Sequence, residues 1–434
     1  MNREILKLAI PNILANLSVP VVSMVDVALM GHLGSGSYIL AIGFGVMIFN
    51  FMYWAFGFLR MGMTGMTAQE VGRKNVPESY RLLFRGLLIA FGGALLLILF
   101  QTPLLNLALY AIDGSDAVNQ QVSDYFRIRI YAAPATIGLY AFVGWFLGKQ
   151  NATIPMIITI LVNFLNAGLS YYLVTAGGME TEGVALGTVV AQYTGFVVAV
   201  LFFLGYYRQE LTREAFQNIV EIQAMKRFIL VNTDILIRTL CLIFALSFFK
   251  VMSARESELI GAANILLLEF IAIAAYGIDG FAYAAESISG KYFGAGDPTR
   301  LRQAIRYCFY WGFGLGLLYG LAYWLFGFEI LSVLTDQQQV IQVAMDYLIW
   351  LIIFPLVSVI PFVWDGVYIG LTSSKAMRNT MLLATIIFIG AFYGFEHLFG
   401  NHGVWLAMIT FVLARGISQT ILAKRVVYDK LIKR

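Results

Sequence analysis

Residues 8–30 read LAIPNILANLSVPVVSMVDVALM: an uninterrupted apolar run carrying one charge, Asp26, and two prolines, Pro11 and Pro20. A helix needs roughly 20 apolar residues to cross the hydrocarbon of a bilayer. This run meets that length. It is preceded by Met-Asn-Arg-Glu-Ile-Leu-Lys with no small-residue cleavage site, so it reads as an uncleaved first span.

The pattern recurs. Apolar blocks separated by charged or turn-rich gaps fall at 8–30, 39–66, 83–111, 124–148, 153–176, 183–206, 227–251, 258–288, 303–332, 342–371, 376–398 and 402–426. The chain has 434 residues, 60% hydrophobic and only 12% charged. Soluble domains carry about 25% charged residues. The expectation is an all-α integral membrane protein of about twelve spans, because helices satisfy their own backbone in lipid. Runs longer than the crossing length predict tilted or bent helices. The net charge of +4 is spread along the chain, which gives no nucleic-acid-binding segment.

Basic residues set the expected orientation. Arg73, Lys74, Arg81, Arg85, Lys149, Arg208, Arg213, Lys226, Arg227, Lys291, Arg300, Arg302, Arg306, Lys375 and Arg378 fall in gaps on one side, with the C-terminal tail. Gaps on the other side offer only Arg127, Arg129, Lys250 and Arg255. This predicts that both termini are cytoplasmic.

The second half echoes the first at an offset near 220. Asp124-Tyr125 returns as Asp346-Tyr347, Pro134 as Pro355, Gly148 as Gly370, Ala41 as Ala262, and Gly72-Arg73 as Gly290-Lys291. The expected organisation is two pseudo-symmetric six-helix lobes: an N-lobe (1–206), a cytoplasmic loop (207–226) and a C-lobe (227–434). Substrate would bind near the midplane between lobes of such a fold.

Charges within spans are costly and mark function by default. Asp26 has no basic residue within a helical turn, so desolvation favours its proton. It could take up and release a proton to couple an ion gradient to transport; a structural hydrogen bond is the plainer alternative. Asn166 and Ser170 share a face of span 5, near Asn163, and Thr188 lies on span 6. With Asp26 they offer oxygen ligands to a small cation, a weak Na+ site at Asp26, Asn166 and Thr188, or else interhelical hydrogen bonds. Pro11 and Pro20 weaken the first helix. Asp234 and Arg238, four apart, predict a local ion pair. Arg60 and Asp279 are read as equivalent positions of opposite charge that pair at a gate. Glu269 and Asp365 are further acids of the C-lobe, Asp365 facing a cationic substrate or a basic neighbour. Gly312, Gly316 and Gly320 predict close helix packing. Cys241 and Cys308 form no CxxC pair, and His32, His397 and His402 show no metal spacing. No HExxH, Gly-x-Ser-x-Gly or P-loop motif argues for an enzyme or an ATP-driven pump.

These residues resemble the multidrug and toxic compound extrusion (MATE) family in its DinF-like branch. The segments are Asp26-x4-Gly31-His32-Leu33-Gly34, Gly57 to Gln69 around Arg60, Asn163 with Asn166, Asn232-x-Asp234-x3-Arg238-Thr239-Leu240, Asp279 to Ala284, and Asp365-Gly366-x3-Gly370 with Met377-Arg378-Asn379. The resemblance covers nearly the whole chain. It implies a six-plus-six helix exporter in a bacterial inner membrane. It would act as a monomer among membrane lipids on amphipathic cationic compounds, driven by inward H+ or Na+, with no bound cofactor. Asp26 matches the coupling acid, Pro11 the bending proline, and Asp26, Asn166 and Thr188 the cation site. Ser170 departs from the family, where a second aspartate is usual. A hydroxyl supplies no second charge, which favours H+ over Na+. The rival readings are a Na+-coupled exporter, a lipid-linked precursor flippase, which would want several intramembrane arginines beyond Arg60 and Arg238, and a non-transporting scaffold.

Overall fold

The computed structural model describes the backbone of residues 1–31 and 36–429, and at 21–31, 36–37, 39, 254 and 428 the backbone alone. The described residues are mostly helical, joined by turns and short irregular segments, and contain no strand. The helices are α1 (Asn2–Gly31), α2 (Gly36–Trp54), α3 (Gly57–Gly72), α4 (Val76–Leu99), α5 (Gln101–Ile112), α6 (Asp116–Arg129), α7 (Ala133–Gly148), α8 (Thr153–Thr175) and α9 (Thr181–Tyr206) in the first half. The second half has α10 (Ile222–Glu256), α11 (Glu258–Gly294), α12 (Pro298–Ser332), α13 (Gln338–Asp346), α14 (Leu348–Gly370), α15 (Ser374–Phe399) and α16 (Asn401–Ala423).

Among the described residues eleven helical segments are long and apolar enough to cross a membrane. Two of them, Leu40–Gly72 and Asp116–Gly148, each join two consecutive helices. α1 adds a continuous 30-residue helix that runs through both Pro11 and Pro20. The chain is therefore a multi-pass membrane protein. Several blocks differ from the sequence reading: 39–66, 83–111, 124–148 and 342–371 each hold parts of two helices. The run 83–111 is a long helix beginning at Val76, with Asn75 capping the Glu78 amide, and a separate short α5. Arg85, read as a loop cation, lies inside that helix and is 1% exposed.

The residues divide into two compact units. One holds Leu14–Glu70 and Asn75–Arg227; the other holds Met1–Ile13, Val71–Lys74 and Phe228–Arg434. We call them unit N and unit C. The division falls inside α1 and inside α10.

Glycine contacts give the internal repeat its register. In unit N, α7 lies so close to α3 that a Cβ on Gly144 would sit 2.4 Å from the Arg60 carbonyl oxygen, and one on Gly148 2.5 Å from Thr67 Cβ. In unit C, α14 meets α11 in the same way: Gly366 against the Ala282 carbonyl at 2.1 Å, Gly370 against the Glu286 carbonyl and Ser289 Oγ at 2.3 Å. Every one of these matched pairs is 222 positions apart. Arg60 is thus the counterpart of Ala282 and not of Asp279, which lies almost one helical turn away. The sequence reading matched them on symmetry and opposite charge, with no packing contact to fix the register.

Candidate functional site

In unit N the predicted polar residues gather on the seam of α8 and α9. Gly187 on α9 leaves room for the α8 backbone: a Cβ there would lie 2.9 Å from both the amide nitrogen and Oγ of Ser170. In that seam Asn166 Nδ2 donates to Thr188 Oγ1 at 2.7 Å, and Thr188 Oγ1 donates back to the Val184 carbonyl at 2.9 Å. Asn166, Ser170 and Thr188 are all buried. Among the described residues Asn166 Oδ1 and Ser170 Oγ meet no hydrogen-bond partner. A buried oxygen without a donor is costly, so two of them one helical turn apart form a polar spot suited to a proton or a small cation. Nearby, Asn163 Nδ2 donates to Ser18 Oγ of α1 at 2.6 Å. The Asp26 side chain and the stretch His32–Ser35 lie outside the described residues.

The 222-residue register gives position 26 a counterpart. The α1 sequence Asn12-Ile13-Leu14 aligns with Asp234-Ile235-Leu236 of α10 at that offset, and positions 26, 166 and 170 map onto Phe248, Phe388 and Phe392. In unit C these three phenylalanines pack edge to face: Phe248 to Phe388 at 5.7 Å and Phe248 to Phe392 at 5.0 Å between ring centroids. The same three places are polar in one half and aromatic in the other.

Unit C keeps its charges elsewhere. Asp365 on α14 is 4% exposed. Its Oδ2 accepts from Arg238 Nη2 of α10 and from Arg415 Nη2 of α16 at 2.7 Å; its Oδ1 accepts from Gln419 Nε2 at 2.6 Å. Tyr368 Oη closes the cluster on the Gln419 carbonyl at 2.7 Å. One carboxylate therefore ties three helices. The expected Asp234–Arg238 pair is not formed. Asp234 instead accepts from Arg378 Nη1 at 2.6 Å and from Ser374 Oγ at 2.9 Å, both on α15. Arg238 points to Asp365 because a charge that deep needs a partner equally deep, and Asp234 has a less buried partner within reach. Asp365 thus meets basic neighbours. Arg415 and Gln419 were missed by the sequence reading; the signal was an Arg in the apolar middle of the block 402–426, well before Lys424 and Arg425 at its end, with a Gln four residues on. Asp279 is half-buried and Glu269 exposed, both on α11; Arg60 is half-buried on α3. Two clefts, of about 280 and 110 Å³, are lined by none of the residues predicted to couple. Among the described residues no group of three or more His, Cys, Asp or Glu is placed to hold a metal.

The MatE family profile matches residues 11–172 and matches again at 235–394. The chain belongs to the MatE family. Across 96% of its length it is 36% identical to the DNA damage-inducible protein F of Escherichia coli K12, covering 91% of that protein. It is 23% identical to the probable multidrug resistance protein NorM of Thermotoga maritima, over 79% of this chain and 74% of that one. Two solved structures share the fold at 16% identity. One is an outward-facing multidrug-resistance MATE transporter (TM-score 0.90; 99% of this chain, 96% of that one). The other is a MATE protein in a bent conformation (TM-score 0.86; 100% and 96%). The two profile matches in this MatE chain end 222 residues apart, the offset given independently by the glycine contacts.

Proposed function

We propose that the chain is an ion-gradient-driven antiporter that exports small amphipathic toxic compounds, cationic ones foremost, by alternating access across a bacterial inner membrane, both termini cytoplasmic. Asp26 is its coupling carboxylate, acting with Asn166, Ser170 and Thr188, and the ion is H+. The observation that carries this reading is the contrast at equivalent places. Mutual packing of Phe248, Phe388 and Phe392 in unit C supports convergence of positions 26, 166 and 170 in unit N. A carboxylate brought to two buried oxygens that meet no partner among the described residues has a place to exchange a proton. With Ser170 neutral the site holds one titratable charge, enough for one proton per cycle. Those same two oxygens favour Na+ as the second reading, since a cation needs acceptors without donors. The flippase reading loses ground. Arg415 adds an intramembrane arginine, but Asp365 engages both it and Arg238.

The test is efflux of a fluorescent organic cation from proteoliposomes under a pH gradient or a Na+ gradient, for the natural chain and Asp26→Asn. Export driven by the pH gradient and abolished in the variant supports the proposal. Export driven by Na+ alone selects the second reading. Export unchanged in Asp26→Asn removes Asp26 from coupling.

A further inference from the structure

The first three turns of α1 are fastened to unit C. Glu4 Oε2 accepts from Tyr292 Oη at 2.9 Å and Glu4 Oε1 from Lys291 Nζ at 3.3 Å, both residues on α11. Trp311 Nε1 of α12 donates to Asn2 Oδ1 at 3.2 Å. Ile5, Leu8 and Ala9 are buried on the same stretch. Gly280 of α11 supplies the close approach: a Cβ there would fall 2.3 Å from Ile13 Cγ1 and 3.0 Å from the Ala9 carbonyl oxygen. Unit C ends at Ile13, and unit N takes up the helix at Leu14. The ladder is thin at that boundary, because Pro11 has no N–H to give the Lys7 carbonyl. Beyond it, α1 is bonded to unit N through Ser18 and Asn163.

We propose that Glu4, Lys291 and Tyr292 form a clasp that makes the start of α1 an arm of unit C, so that ionisation at Asp26, farther along the same helix, is transmitted to unit C through it. This rests on the reading of Asp26 as the coupling group. The three are positioning residues. They leave ion and substrate binding alone and act on the step that links them. The charged groups around Glu4 are Lys291, the chain's amino terminus and, across the Tyr292 ring, Arg300 at 5.9 Å. Burial pushes the Glu4 carboxyl up, but the Tyr292 hydroxyl and Lys291 outweigh it and hold it below the usual carboxylate range. Glu4 is therefore ionised near neutral pH, and the clasp adds no pH dependence of its own there.

The experiment is gradient-driven efflux from proteoliposomes of Glu4→Gln, the exchange pair Glu4→Lys with Lys291→Glu, and Asp26→Asn. Glu4→Gln should lower the maximal rate roughly fivefold or more, within the usual span of coupling between sites. Its half-saturating substrate concentration and the shape of its pH profile should not change, and the exchange pair should restore at least half the rate. A natural rate in Glu4→Gln overturns the proposal, as does a shifted pH profile or a loss the exchange pair fails to restore. Asp26→Asn separates the two claims. If it still exports, the coupling assignment fails; if it is silent while Glu4→Gln is normal, only the clasp fails.

Discussion

Asp365 accepts three side-chain hydrogen bonds from two guanidinium groups and an amide, all buried. Removing one member leaves the others charged and dry. Asp365→Asn should therefore cost about 3–5 kcal/mol, read as a large fall in the detergent-solubilised melting temperature. Asp234→Asn breaks the more exposed contact with Arg378 and should cost only about 1 kcal/mol. Glu256, past the end of its span, behaves in the opposite sense to Glu4. Burial and then the nearby Glu396 hold its carboxyl above the usual range. A raised acid favours the folded state below the unfolded value and loses that advantage as pH rises through the folded one. Glu256→Gln should thus raise the melting temperature slightly at pH 8, with the gain gone near pH 4. At this scale the sequence located the charged residues but not the partners of Asp234 and Arg238. Four-residue spacing made Asp234 and Arg238 a natural pair, yet both side chains reach other helices. Spacing along one helix carries no information about which carboxylate a neighbouring helix presents.

Between α9 and α10 the connection is strapped to unit N. Arg85 of α4 donates to the carbonyls of Ile219 at 2.7 Å and Asn218 at 3.1 Å and pairs with Glu78 at 2.5 Å. Arg81 reaches the Glu214 carbonyl at 2.8 Å, Lys149 pairs with Glu210 at 2.6 Å, and Phe84 stacks on Phe216 with centroids 5.1 Å apart. Arg81, Arg85 and Lys149, among the basic residues on which the expected orientation rests, are thus also the clips of this strap. That second use was invisible, because carbonyl acceptors leave no trace in residue type. Charged hydrogen bonds contribute about 1.5–3 kcal/mol each, so Arg85→Met should speed tryptic cleavage after Arg213 by about tenfold or more. Unchanged cleavage would show that the strap does not depend on Arg85.

For the whole molecule, apolar block length was enough to give the class and nearly all the spans, because bilayer thickness imposes one length on every crossing. The repeat was legible too, and the pairs Asp124 with Asp346 and Gly148 with Gly370 already carried its 222-residue register. Arg60 and Asp279 were matched three residues out of step, and the contacts of Gly144, Gly148, Gly366 and Gly370 correct it. The polar seam of α8 and α9 was read in full as residues, and its aromatic counterpart was not, since phenylalanine in a membrane chain attracts no notice. That counterpart has a genetic meaning. A chain descended from two copies of one ancestral segment starts with a spare for every part. Here the positions matching 26, 166 and 170 are Phe248, Phe388 and Phe392, so a lesion in the first triplet finds no like side chains at the matching places.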